Sequence, residues 1–416
     1  MIRKKANYFY GGDPLLYQIY RRIASVFIFF IACLLAAICF FQAFLPDIYY
    51  ATQSQDLCFP TSYKNLLTFK DSFSSAAFSG SQSYVSADIE LMGVIPVKSV
   101  QVTATDEKNV IVCGTPFGVK MFTDGVMVVG LSEIETAEGL LCPARTSGLQ
   151  KGDIIHSIDG ITVYTNEDVA SCIESCGGKC LTVSVLRNDE PMVLSVTPQK
   201  TAAENNYKAG FWVRDSSAGI GTLTFYDPDT EVFAGLGHAI CDSDTGEILP
   251  LLSGDVVSAC ISSVKKGTVG TPGELGGSFI FSQTLGTLEI NDETGLYGTA
   301  SEQLCGTSYP VAPKQTVREG AATILSTVDG MTAEEYSITI KKISLTEDTL
   351  TKNMVIEVTD PKLIETTGGI VQGMSGSPIL QDGKLVGAVT HVFINDPTKG
   401  YAIFAENMLE TASLLS

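Results

Sequence analysis

Val371-Gln372-Gly373-Met374-Ser375-Gly376-Ser377-Pro378-Ile379-Leu380 reads as a tight glycine turn that holds a serine outward, with a strand from Leu385 to Ile394 after the Asp382-Gly383 turn. Gly373 permits a backbone path that a Cβ would disfavour. The N–H groups of Gly373 and Ser375 can then converge on a negative oxygen that develops beside the hydroxyl. Position 377 is Ser rather than the second glycine of G-x-S-x-G, so this is not the elbow of the α/β-hydrolases.

A serine nucleophile needs a base within hydrogen-bond reach, and the chain has three histidines. His238 sits in Phe233-Ala234-Gly235-Leu236-Gly237-His238-Ala239-Ile240, where small neighbours can frame an imidazole closely. It is the candidate general base, and His before Ser is the order of trypsin-like double β-barrels. His391, on the strand after the serine loop, is read as pocket wall or packing, and His156 as structural. Neither H-E-x-x-H nor G-x-x-x-x-G-K-[ST] occurs, which removes the common metalloprotease and nucleotide-loop signatures.

Upstream, short β-branched runs such as Val100 to Thr105, Val110 to Val112 and Val126 to Leu131 are punctuated by Gly and Pro, so this part is mainly β. Gly148-Leu149-Gln150-Lys151-Gly152-Asp153-Ile154-Ile155-His156-Ser157-Ile158-Asp159-Gly160 alternates an apolar strand with glycine turns, and a helical stretch from Asn166 to Ser175 follows. That order resembles a PDZ domain from about Val110 to Pro198. The resemblance puts Thr115-Pro116-Phe117-Gly118-Val119 in the place of the peptide-carboxylate loop, with Phe117, Gly118 and Val119 as peptide-binding residues. Cys172, Cys176 and Cys180 lack a nearby His and fit one helix stripe better than a zinc knuckle; no metal site is expected.

Ile23 to Phe41 has no charge, Gly or Pro and is apolar on all faces, long enough as a helix to cross about 28 Å. Arg3, Lys4, Lys5, Arg21 and Arg22 precede it, whereas Asp47 and Asp56 follow, so the N-terminus is expected in the cytoplasm and the bulk outside. An uncleaved signal anchor is favoured over a cleaved signal peptide, because the apolar run is long and no clean small-residue cleavage site follows. Eleven cysteines less Cys33 and Cys39 in the span leave nine outside, an odd number that cannot all pair within one chain.

The 416 residues suggest two or three folded units at roughly 150 residues each. With 45% hydrophobic and 18% charged residues, disorder is not the main state. The net charge of −19 argues against nucleic acid, whose binding needs clustered cations.

Together these stretches resemble the stage IV sporulation protein B peptidase family, membrane-anchored PDZ-containing serine peptidases of endospore formers. Leu91 to Lys98, Trp212-Val213-Arg214-Asp215, Ala218 to Tyr226, Val358 to Leu363 and Gly387 to Val392 also carry the resemblance. It implies a triad of Ser375 as nucleophile, His238 as general base and Asp360 as orienting acid, with Gly373 and Ser375 as oxyanion hole and no cofactor. Read from the residues alone, Asp360 lies only 375 − 360 = 15 positions before Ser375, so Asp242, Asp244 and Asp255 stay open as rivals, as does a turn-capping role for Asp360.

The expected division is a cytoplasmic tail (1–22), a transmembrane anchor (23–45), a tether (46–85), a β segment (86–109), a PDZ domain (110–200) and a chymotrypsin-type double-barrel peptidase domain (201–416). As the resemblance implies, such a protein works between the forespore and mother-cell membranes. It cleaves its own N-terminal region, expected between Ala51 and Ser83, and then a membrane-bound regulatory subunit of an intramembrane protease, which activates a late sigma factor. The competing class is a catalytically inactive membrane-anchored PDZ scaffold.

Overall fold

The computed structural model describes residues 14–45, 47–51, 66–70, 84–104, 108–345 and 350–415. Those up to 104 belong to one compact unit and those from 108 to another.

In the first unit, helix α1 (Pro14–Phe44) contains a segment, Ile19–Ala43, long and apolar enough to cross a membrane and with none of its most apolar stretch buried. Its C-terminal carbonyls need donors. The Lys98 ammonium supplies them, reaching the carbonyls of Leu45 and of Gln42 (3.1 Å) while pairing with Asp47 at 2.8 Å. Strands β1 (Ile48–Ala51), β2 (Leu67–Phe69), β3 (Tyr84–Leu91) and β4 (Ile95–Ala104) form a sheet in the order β1-β4-β3-β2. Two pieces of the expected tether are therefore strands. Residues 52–65 and 71–83, most of the stretch expected to hold the self-cleavage site, lie outside the described residues.

The second unit begins with β5 (Asn109–Val112) and β6 (Pro116–Leu131). After β6 come β7 (Ile154–Ile158), helix α2 (Asn166–Ser175), β8 (Leu181–Arg187) and β9 (Glu190–Val196), followed by the 16-residue β10 (Phe211–Tyr226). Thr165 and Asp168 close a reciprocal capping box that starts α2. Val126, Val128, Ile155, Ile158, Val183 and Val185 form the core of this module, with Cys172 and Cys176 half-buried against it.

The PDZ-type module is an insertion. Strands β6 and β10 pair antiparallel from Phe211↔Leu131 to Thr222↔Pro116, and their far ends belong to a barrel. With β11 (Val232–Gly235), β12 (Leu251–Lys265), β13 (Glu274–Asp292) and β14 (Gly295–Ala300), they close a ring β6-β12-β13-β14-β11-β10. A second closed barrel runs β15-β16-β17-β20-β19-β18 through β15 (Gly320–Ser326), β16 (Glu334–Ile343), β17 (Met354–Val358), β18 (Pro378–Gln381), β19 (Lys384–Phe393) and β20 (Asp396–Phe404). Helices α3 (Pro361–Thr367) and α4 (Ala405–Ala412) complete it. The expected mainly β fold with two barrels is present.

This topology corrects the expected PDZ boundaries and peptide loop. Thr115 to Val119 open the first barrel instead of lying in the PDZ-type module: Phe117 and Val119 pair with both β10 and β12 and are buried in the barrel core. Gly118 is required because a Cβ there would meet the Phe279 ring at 2.5 Å. Replacing Phe117 by Ala is therefore expected to destabilise the chain by about 3–5 kcal/mol, read as a lowered denaturation midpoint. A loop residue devoted to peptide capture would instead leave the midpoint in place and weaken peptide binding.

Candidate active site

The serine loop lies between the barrels and is tied to both. Gly373 (φ 99) and Gly376 (φ 92) take left-handed backbone, and a Cβ on Gly376 would sit 2.1 Å from the Thr222 carbonyl oxygen. From β10, Thr222 N–H donates to the Ser375 carbonyl (3.0 Å), Thr222 Oγ1 to the Gly373 carbonyl (2.9 Å) and Thr224 Oγ1 to the Gly376 carbonyl (2.7 Å). From β19, the Val389 carbonyl accepts from Gly376 N–H at 2.8 Å. The side chain of Met374 anchors the loop in the second barrel's core.

These bonds aim the neighbouring amides. The Gln372 carbonyl accepts from Leu275 N–H and the Met374 carbonyl from Ser377 N–H. Because a trans peptide points its C=O and N–H in opposite directions, the N–H groups of Gly373 and Ser375 face away from those donors. Ser375 Oγ donates to the Thr390 carbonyl at 2.9 Å.

His238 follows β11 through a turn in which Leu236 (φ 63) and Gly237 (φ 69) are both left-handed. Its Nδ1 lies 2.8 Å from the Ala239 carbonyl, which can only accept, so Nδ1 carries the proton and Nε2 is left as the base. Burial holds the His238 pKa below the ordinary imidazole value, opposed only by that carbonyl. The His391 ring centroid is 5.0 Å away. The His391 pKa is also lowered, first by burial and then by His238 and Lys352.

Ser375, His238 and His391 share one cavity of about 600 Å³, and Gly373 lines it too. Its other walls are mostly apolar or small, among them Ile220, Ile240, Val371, Val392 and Ile394, and among the described residues no Asp, Glu, Lys or Arg lines it. The arrangement offers a hydroxyl, a neutral imidazole and two amide donors in a low-charge cleft, the components of acyl transfer.

Asp360 is not brought to His238. It is the N-cap of α3, accepting from Leu363 N–H (3.1 Å) and Ser337 N–H (3.3 Å), with Pro361 in the first turn. That pattern satisfies orphan helix donors, which is the physical role an Asp-Pro start serves. The rivals also stand elsewhere. Asp242 accepts from Asp244 and Thr245 N–H within its own turn and pairs with Arg214, which also holds Asp244 at 2.9 Å, while Asp255 is exposed on β12.

The PDZ-type module has its groove at the start of β10, a position that Lys208-Ala209-Gly210-Phe211 marks in the sequence by a glycine between apolar residues just before a strand. A cavity of about 480 Å³ lies between α2, with Val169 and Ile173, and the segment Tyr207–Val213. Gly210 (φ 78) has no room for a Cβ, which would be 2.5 Å from the Ser132 carbonyl oxygen. The Ala209 and Gly210 carbonyls accept from Ala144 and Ser132 N–H, so the N–H groups of Gly210 and Phe211 point the opposite way. Such successive amides suit a carboxylate.

Comparison with known proteins adds family relationships. Residues 205–409 match the SpoIVB peptidase S55 family model, and residues 142–187 match the PDZ domain model. A search of curated proteins gave no match. Among solved structures, the PDZ domain of the SdrC-like protein from Listeria monocytogenes is 20% identical, covering 22% of this chain and 87% of that one (TM-score 0.18). The active form of the Rv3671c protease from Mycobacterium tuberculosis is 14% identical, covering 48% and 75% (TM-score 0.28), and its inactive form 12%, covering 47% and 84% (TM-score 0.26).

Two substitutions separate capping from catalysis at Asp360. Asp360→Ala is expected to cost about 1 kcal/mol of stability, whereas Asp360→Ser keeps a capping oxygen and stability near wild type. Labelling of Ser375 by a fluorophosphonate should survive in Asp360→Ser; its loss at unchanged melting temperature would make the carboxylate part of the catalytic machinery. The lowered His238 pKa sets the acid limb. Protonation removes the Nε2 lone pair, so the labelling rate should hold its plateau below pH 6.5 before it falls.

Proposed function

We propose that this serine peptidase, whose residues 205–409 match the SpoIVB peptidase S55 family model, cleaves itself and then a membrane-bound regulator of an intramembrane protease during sporulation. The observation that carries the catalytic reading is the placement of Ser375 and His238 in one cleft between two closed barrels, beside the outward amides of Gly373 and Ser375. The family match supports the sporulation role. The apolar helix α1 and the cationic residues Arg21 and Arg22 near its start support an anchor with the N-terminus in the cytoplasm and the peptidase outside.

The reaction follows from the groups present. Ser375 Oγ leaves the Thr390 carbonyl, passes its proton to His238 Nε2 and bonds to the substrate carbonyl carbon. The oxyanion takes the Gly373 and Ser375 N–H groups. The imidazolium returns its proton to the departing amine as the C–N bond breaks, and water then releases the acyl group by the same steps. The Ala239 carbonyl holds the imidazole by Nδ1 throughout; it keeps the tautomer but brings no negative charge to the imidazolium. The substrate is a protein with an apolar residue before the scissile bond, because the cleft wall offers no charge to pair with an ionic one.

Ser375→Ala and His238→Ala are each expected to reduce peptide cleavage by on the order of 10⁴-fold or more, with fluorophosphonate labelling lost in Ser375→Ala. A panel of peptides varied at the residue before the cut should rank Leu, Val or Met above Lys, Arg and Asp. Cleavage that persists in Ser375→Ala would refute the assigned nucleophile.

A further inference from the structure

Strand β10 connects the two cavities. Its residues Phe211–Val213 wall the PDZ groove, and Ser217–Gly221 line the cleft that holds Ser375 and His238. One edge of β10 is occupied by β6 from Phe211 to Thr222 and then by β5 at Phe225 and Tyr226. The opposite edge is taken by β11 only from Leu223 onward, so between 211 and 221 it pairs with no strand among the described residues.

Direction decides what can lie there. A carboxylate held by the N–H groups of Gly210 and Phe211 puts a peptide's C-terminus at the beginning of β10. A chain added antiparallel then runs upstream toward the higher-numbered end of the strand, and so toward Ser375. We propose that the substrate is a protein whose free C-terminus is held in the PDZ groove while its upstream residues continue along the same β10 edge into the catalytic cleft, so that the cut falls at a fixed distance from the C-terminus. Gly219 to Gly221 lie 219 − 211 = 8 to 221 − 211 = 10 positions along β10 from Phe211, so the peptide between carboxylate and cleft has roughly that length. At about 3.4 Å per residue the peptide spans about 30 Å. The proposal rests on the serine peptidase reading of the cleft and adds to it the class of substrate.

Charge narrows that class further. Glu133, Glu135, Glu174 and Glu204 line the groove against one cation among the described residues, Lys208, which Glu204 already holds at 2.7 Å. A tail with Lys or Arg near its end complements this lining. Where groove and cleft meet, the Asp215 carboxylate accepts from Asn166 N–H (2.9 Å) and from Ser216 Oγ, and an incoming chain displaces the Asn166 bond. Arg214 is drawn off to Asp242 and Asp244.

The chain has one tryptophan, Trp212, which lines the groove and is 67% exposed, so its emission reports groove occupancy independently of catalysis. The test uses the full chain in detergent and a basic peptide ending in an apolar residue, made with a free carboxylate, with an amidated end, and shortened or lengthened by two residues at the C-terminus. In the Ser375→Ala chain, the carboxylate form is expected to shift Trp212 emission at a concentration about tenfold lower than the amide. With the wild-type chain, mass spectrometry should show the cut moving by two residues in step with the terminus. A cut that stays at one sequence position, or equal cleavage of the amidated form, overturns the proposal. Fluorophosphonate labelling of the wild type separates the two failures: terminus-independent cutting with labelling leaves the peptidase standing, and absence of labelling in a folded chain removes both.

Discussion

The hydrogen bonds from Thr222 and Thr224 to the carbonyls of Gly373, Ser375 and Gly376 fix the catalytic loop from outside its own barrel. The serine belongs to the second barrel by sequence, yet its backbone is positioned by a strand of the first. Buried amide partners of this kind are costly to separate, since each carbonyl left without a donor loses a net hydrogen bond and carries its desolvation penalty. The approach is close enough that Gly376 has no alternative residue, the Thr222 oxygen occupying the space of a Cβ. The relation of Ser375 to His238, which follows β11 in the first barrel, is thus set by the same strand that bounds the cleft.

Charge is kept away from that cleft. In a chain of net charge −19, no ionised side chain among the described residues lines the reaction centre, and burial lowers the pKa of both histidines there. Neutral His238 is the form that can accept a proton, and a cleft without competing ions leaves the amides of Gly373 and Ser375 as the main field felt by a developing oxyanion. Acidic residues appear instead around the PDZ groove and in the turn that follows His238, where Arg214 compensates Asp242 and Asp244.

Local chemistry was legible in the sequence, and long-range pairing was not. The apolar helix, the glycine turns of the PDZ-type module and the serine loop declare themselves by period and by residue type, because each is decided by neighbours a few positions away. The insertion is decided by pairing between Pro116 and Thr222, more than a hundred positions apart, which no local pattern records. Thr115-Pro116-Phe117-Gly118-Val119 looks like a loop because Pro and Gly punctuate it. In the barrel, Pro116 opens a strand, where a missing N–H is tolerated, and Gly118 makes room for Phe279. Lys208-Ala209-Gly210-Phe211 carries the groove signal, a glycine between apolar residues just before a strand, but names no fold by itself. Asp360 shows two readings of one dipeptide: an Asp before Pro at a helix start is a cap by elementary geometry, and only family likeness made it an acid.

An inserted module differs physically from one joined by a linker. A tethered PDZ domain raises the local concentration of its ligand and leaves orientation free. Here β6 and β10 leave the barrel as a paired ribbon and run on, through two register shifts, as the first and last strands of the module. The register shifts between Trp212 and Val213 and between Arg214 and Ser216 fall where groove becomes cleft. Bulges at such points increase local twist and turn a strand's edge without ending it. They let one strand serve both module and barrel, so the strand that walls the groove also carries Thr222, whose N–H holds the carbonyl of Ser375.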